Sequence, residues 1–242
     1  MKRIVLCSLL VLLLVAGAAL AEDFWVKKEY MQWSEEEVKT VMTDSPWAKD
    51  VTVSAPMSSI GGRGQPRDGE KSAAPDVENP APSSGRPRRT AGGGDEGDGG
   101  GRQGLLTLNI SWRSALPYRK AVVRSRLGAG KAIPPEAQEL VTANQADYVI
   151  VVSGVPAGMA SSLSAANMER STIRAGKKPA VTAKAMDLQR HTRTVDIIYV
   201  FPKTQSITPD DKEIEVVLRI GPVEAKKKFN LKDMVYDGKL EM

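Results

Sequence analysis

The residues able to do chemistry are few and scattered. His191 is the only histidine, and it lies in "LQRHTRTVD" (Leu188 to Asp196). Arg190 and Arg193 on either side disfavour its protonated form and weaken it as a base. A hydrolytic triad would set it beside a serine and an aspartate, and no G-x-S-x-G is present. It reads as a surface-loop histidine. Asp196, Asp210 and Asp211 are the carboxylates open to an acid–base hydrolase, which needs two of them paired across a deep cleft. "SITPDDKE" places Asp210, Asp211 and Glu213 close in sequence, but without the spacing of a calcium loop, so it reads as a solvated turn. "RLGAGKA" approaches a phosphate loop, yet Ser125 stands where glycine is needed and Ala132 where serine or threonine is needed. Gly128 and Gly130 read instead as a helix cap and the turn after it. Asn109-Ile110-Ser111 matches a glycosylation acceptor but falls inside a predicted strand. No cofactor is expected.

Two features are better suited to binding than to catalysis. From Arg102 to Pro135 there is no acidic residue, while Arg119, Lys120, Arg124 and Arg126 fall on one predicted helix, with Arg113 and Lys131 nearby. At helical spacing Lys120 and Arg124 occupy one flank and Arg119 and Arg126 the other. Such a helix suits an anionic envelope polymer, a lipid head group or an acidic protein. Trp33 and Trp47 are the aromatic candidates, either for stacking on a ligand or for packing. Nucleic acid is not expected as a partner. The formal charge of +5 falls to +3 once Lys2 and Arg3 are removed with a leader.

That leader is read from Lys2 and Arg3, the apolar run Ile4 to Ala19, and Ala19-Leu20-Ala21 before Glu22 and Asp23. This is the pattern of a secretory signal peptide over residues 1–21, cleaved after Ala21. The apolar run is shorter than the ~20 residues that cross a bilayer. Cys7, the only cysteine, lies within it, so the exported chain, periplasmic or extracellular, carries no disulfide. Its stability must come from its core.

The elements that position these residues follow from periodicity. Residues 54–104 are rich in Gly, Pro and Ser with sparse apolar residues, the signature of a disordered insertion. Residues 22–53 are fewer than the ~40 at which a disulfide-free chain folds alone, yet they hold Trp25, Trp33 and Trp47. They are read as the first part of the domain that residues 105–242 complete, with Val51-Thr52-Val53 paired near Leu106 to Trp112. The cost of closing the intervening loop grows only logarithmically. Ser34 followed by Glu35, Glu36 and Glu37 is a capping box, and Asp44-Ser45-Pro46 ends that helix. Pro117 opens a second helix that Gly128 closes, and a third runs from Pro135 to about Ala143. "LLTLNISW", Tyr148 to Val152, "VDIIYVF", "EIEVVLRI" and "VEAKKKFNL" read as strands. The last two form a hairpin in which Glu215 faces Lys228 and Arg219 faces Glu224. The fold class expected is α+β: one mainly antiparallel sheet with two or three helices on one face and a long disordered insertion.

"YMQWSEEEVKTVMTDSPWAK" and "FNLKDMVYDGKLEM" resemble an uncharacterised group of exported bacterial proteins sharing the D-S-P-W-A-K segment and the closing G-K-L-E. The resemblance implies bacterial export and carries no activity or functional residues. The reading reached from the sequence is an exported, non-enzymatic binding or structural module at the cell envelope. The alternative is an envelope hydrolase using carboxylates.

Overall fold

A computed structural model describes residues 24–60 and 103–242. The signal-peptide reading and the bulk of the predicted insertion lie outside the described residues.

The front segment begins with a short helix, α1 (Phe24–Lys27), and a 3-10 turn (Tyr30–Gln32), then α2 (Glu35–Thr43). The capping box forms in full: Ser34 Oγ accepts the Glu37 N–H at 3.1 Å, and Glu37 Oε2 accepts the Ser34 N–H at 2.8 Å. Two otherwise orphaned donors at the helix start are thereby satisfied. After the helix, β1 (Ala48–Pro56) pairs antiparallel with β2 (Gln103–Trp112), Val51 opposite Leu108 and Val53 opposite Leu106. The ladder continues to Pro56 opposite Gln103. Ser54 to Pro56 and Gln103 to Gly104, assigned by sequence to the insertion, are therefore strand. Ala55 explains the extension, because it follows Val53 on the inward face and is fully buried. A single turn of helix, α3 (Met57–Ile60), follows β1.

The remaining helices are α4 (Leu116–Leu127), α5 (Pro135–Thr142) and α6 (Ala165–Glu169). The strands are β3 (Asp147–Pro156), β4 (Thr172–Ala175), β5 (Val181–Thr182), β6 (Ala185–Arg190), β7 (Thr194–Pro202), β8 (Glu213–Ile220), β9 (Val223–Asn230), β10 (Val235–Tyr236) and β11 (Lys239–Leu240). The class is α+β, and among the described residues every strand pairing is antiparallel. The strands are shared between a five-stranded sheet, β1-β2-β3-β7-β6, a four-stranded sheet, β5-β4-β8-β9, and the small β10-β11 pair. Alternation explains the division. Each larger sheet is apolar on one face, and the two apolar faces cover each other. Trp112, Ile150 and Tyr199 of the first meet Val216, Leu218 and Phe229 of the second in one core. Trp112 packs edge-on against Phe229 with ring centroids 5.8 Å apart. Each such side chain contributes roughly 1.5–3 kcal/mol when fully buried. The Tyr199 hydroxyl crosses the core to donate to the Arg219 carbonyl at 2.6 Å, and burial pushes its phenol well above the usual range.

The β8–β9 register is the expected one, with Glu215 opposite Lys228 and Arg219 opposite Glu224. Only the second pair closes directly. Glu215 reaches diagonally to Lys226 and across to Arg174 of β4, each at 2.8 Å, and Lys228 turns to Glu213. Lys226 and Arg174 together hold the Glu215 carboxyl below the usual range. Lys227 is the one lysine on the inward side. It escapes at the rim, donating to the Asp50 carbonyl of β1 at 2.8 Å, as a long amphipathic side chain does. The hairpin turn requires Gly221: its φ is +57°, and a Cβ there would lie 2.1 Å from Ser162 Oγ.

The helices α2, α4 and α5 gather at the outer face of the five-stranded sheet. Side chains alternate along a strand, so Asn109, Arg113 and Val149 point away from the core that holds Ile110, Trp112 and Ile150. Asn109 donates to the Thr43 carbonyl at the end of α2 at 2.8 Å. Between the helices, Trp33, Val38, Val41, Ala121 and Val123 form a second, smaller buried cluster.

Candidate functional site

The helix group leaves a cleft of about 650 Å³ against the outer sheet face. Tyr118 and Val122 of α4, Leu140 of α5, Met42 of α2 and Val149 of β3 supply its apolar wall. Arg126, Glu136 and Glu139 stand at its mouth, all exposed. The cleft exists because α5 packs lightly: none of its residues is buried, and Leu140 is 45% exposed. Ala137 and Val141 pack α5 against the smaller cluster, and Arg119 ties its end, donating to the Leu140 and Ala143 carbonyls at 2.7 and 2.9 Å. These carbonyls lie at the helix C-terminus, where a cation is favoured.

In the lining of the cleft, Arg113 donates to Asp196 Oδ2 at 2.7 Å and to Ser153 Oγ at 3.3 Å. Asp196 is almost wholly buried. His191 Nε2 lies 3.6 Å from the same oxygen, too far for a hydrogen bond. This carboxylate is thus bound to a guanidinium and not to a second carboxylate. Asp210 and Asp211 belong to a 3-10 turn, Pro209–Asp211, at the four-stranded sheet. There Asp211 Oδ2 accepts the Thr208 N–H at 2.9 Å and the Lys178 ammonium at 2.6 Å, and Lys178 holds its carboxyl below the usual range. Asp196 therefore lies apart from Asp210 and Asp211, and of these three Asp196 and Asp211 are each engaged by a cation of the fold.

The residues proposed for binding are placed differently from the sequence reading. Trp33 and Trp47 are both 0% exposed, so no ligand can stack on either without opening the fold. Trp33 packs edge-on against Phe24 and Tyr30. Trp47 packs against Trp25 and Tyr236, and its indole N–H donates to the Glu241 carbonyl at 2.9 Å. The basic helix is likewise no basic surface. Arg119 is engaged with α5. Lys120 donates to the Tyr236 hydroxyl at 2.9 Å and lies 4.7 Å from that ring and 5.5 Å from the Tyr30 ring, a cation–π arrangement. Arg124 is only 6% exposed. Of the four, Arg126 alone remains in solvent. The correction has one cause: α4 is surrounded, by α2 and α5 and, at Lys120, by Tyr30 of the 3-10 turn and Tyr236 of β10, so both flanks of its apolar stripe are covered. Of the proposed residues, the cleft brings together Arg119 and Arg126, and adds Arg113, Tyr118, Val122, Leu140 and Val149. No protein-family model, curated protein or solved structure matches the chain.

Proposed function

We propose that the mature chain is an exported, non-enzymatic binding module of the bacterial cell envelope, and that the cleft between α4, α5 and the sheet is where it holds its ligand. The leader-like residues 1–21 and the D-S-P-W-A-K resemblance support export. The observation that carries the binding reading is the cleft itself: an apolar wall with the ion-paired Arg113 in its lining and charge of both signs at its mouth. Ligand sites have this composition, a mainly apolar lining with a few oriented polar groups. The ligand that fits presents an apolar group inward and polar groups to Arg126, Glu136 and Glu139. The engagement of Asp196 by Arg113 and of Asp211 by Lys178, in separate parts of the fold, speaks for binding over hydrolysis.

The test is co-sedimentation of the mature chain with isolated envelope fractions. Val122→Trp and Leu140→Trp, which fill the cleft from either side, are expected to abolish retention while leaving the circular dichroism spectrum unchanged. Retention undiminished in both variants would remove the cleft from the account. Turnover of an envelope polymer that is lost in Asp196→Asn would replace binding with hydrolysis. N-terminal sequencing of the exported protein should begin at Glu22.

A further inference from the structure

The four-stranded sheet ends, on the side away from the Gly221 turn, in an open recess of about 930 Å³. Four lysines line it from separate stretches of chain: Lys177 after β4, Lys212 before β8, Lys228 in β9 and Lys232 beyond it. The acidic groups of the same recess do not balance them. Glu213 is taken by Lys228, and Asp211 by Lys178 from outside the lining. Lys177, Lys212 and Lys232 have no carboxylate within 4.0 Å among the described residues, and Asp210 is the only lining carboxylate left without an ion pair. On the outer face of the same sheet the pattern is the reverse, because Arg174, Lys226, Arg219 and Lys228 each close an ion pair. The free cations of this sheet are thus gathered at one end.

They are also mounted on fixed backbone. Lys212 is a non-glycine residue with φ +67°, a sparsely populated conformation that persists only where its surroundings enforce it. Its N–H donates to the Pro209 carbonyl at 3.1 Å, and its carbonyl accepts the Leu231 N–H at 2.9 Å. Across from it, Gly176 has φ +52°, and a Cβ there would lie 3.0 Å from the Asp211 carbonyl oxygen. The two rims of the recess therefore meet backbone to backbone.

From this geometry we infer a second binding site, independent of the helix cleft, for a chain carrying repeated phosphate groups. Lysine ammoniums are compact point charges without the fork that grips one planar carboxylate. Three of them on separate segments around a broad opening suit several anionic groups spaced along a flexible chain. Phosphate offers three acceptor oxygens per group and stays charged at neutral pH.

Inorganic polyphosphate is the probe, titrated by anisotropy into the full mature chain at two salt concentrations. Lys177→Gln, Lys212→Gln and Lys232→Gln combined should weaken binding at low salt at least tenfold. The slope of log affinity against log salt should flatten by roughly one for each phosphate that is no longer neutralised. Lys226→Gln, which removes a paired lysine of β9, should change affinity less than twofold, and so should Val122→Trp, which fills the other cleft. Equal thermal unfolding of wild type and triple variant shows that the fold is intact. The site is refuted if polyphosphate does not bind the wild type, or if the triple variant binds within twofold of it. Orthophosphate binding as tightly as polyphosphate would refute the repeated-group requirement, and polyglutamate binding as tightly would refute phosphate.

Discussion

Helix α4 and the lysine recess are both basic, and they use their charge in opposite ways. On α4 the cations are adjacent in sequence and turned inward, Arg119 onto the end of α5 and Lys120 onto two tyrosines. At the recess the cations are far apart in sequence and face solvent. A run of like charge therefore identifies neither a surface nor its absence. Whether a cation is free depends on how many elements pack around its own. A helix enclosed by two others has little exposed face, whereas the end of a two-layer sandwich has no third layer to cover it.

The contrast can be broken most severely on the inward side. Trp47→Ala, which empties the core next to Tyr236, should cost about 3–5 kcal/mol in denaturant unfolding. A cost under about 1 kcal/mol, the range of surface substitutions, would mean that Trp47 lies outside the core. Next in size is Arg119→Ala, which leaves the Leu140 and Ala143 carbonyls without their charged donor. About 2 kcal/mol is expected, together with accelerated hydrogen exchange confined to α5. Unchanged exchange in α5 would show that Arg119 does not hold it. On the outward side the sign reverses. Lys212→Gly relieves the positive φ and should stabilise by about 0.5–1 kcal/mol while weakening polyphosphate binding. A residue spared from stability and used for binding behaves in this way, and a loss of stability would place Lys212 with the inward group.

The smallest effect is a pH dependence. Three partly or fully exposed carboxylates sit below their ordinary values: Glu37, where Lys28 and the Ser34 N–H outweigh burial, and Asp211 and Glu215, lowered by Lys178 and by Lys226 with Arg174. Their contribution is fully present above the ordinary values of 3.8 for Asp211 and 4.5 for the glutamates. It is lost as pH falls through the lower folded values. Thermal scans should thus be level from neutrality to about pH 5 and decline gently below about pH 4, more gently in roughly 1 M salt than a buried pair would give.

What the sequence disclosed follows from how local each signal is. The capping box at Ser34 and Glu37, the Gly128 stop and the β8–β9 register depend on residues within a few positions of one another, and all are found in the structure. Lys227, which interrupts the alternation of β9, sits at the rim, where it reaches the Asp50 carbonyl. The two sheets were not separable in the same way, because β8 and β9 alternate identically whether they pair with β4 or with β3. The stretch from Met159 to Arg174 holds a 3-10 turn, the short α6 and the start of β4, each too brief to show a period. Burial of Arg124 depends on neighbours α2 and α5, invisible from its own helix. The helix cleft and the lysine recess are assembled from segments far apart along the chain, so neither leaves a motif.

One rung of the first sheet has a practical meaning. Pro56 and Gln103 stand opposite each other as the outermost partners of the β1–β2 ladder, so the chain leaves the sheet and re-enters it at neighbouring points. The ladder itself holds these two ends together, and lengthening what lies between them adds only a logarithmic entropic cost. That position is a natural port for grafting: a foreign peptide or a reporter domain spliced there would be displayed from a scaffold whose own strand pairing already brackets it.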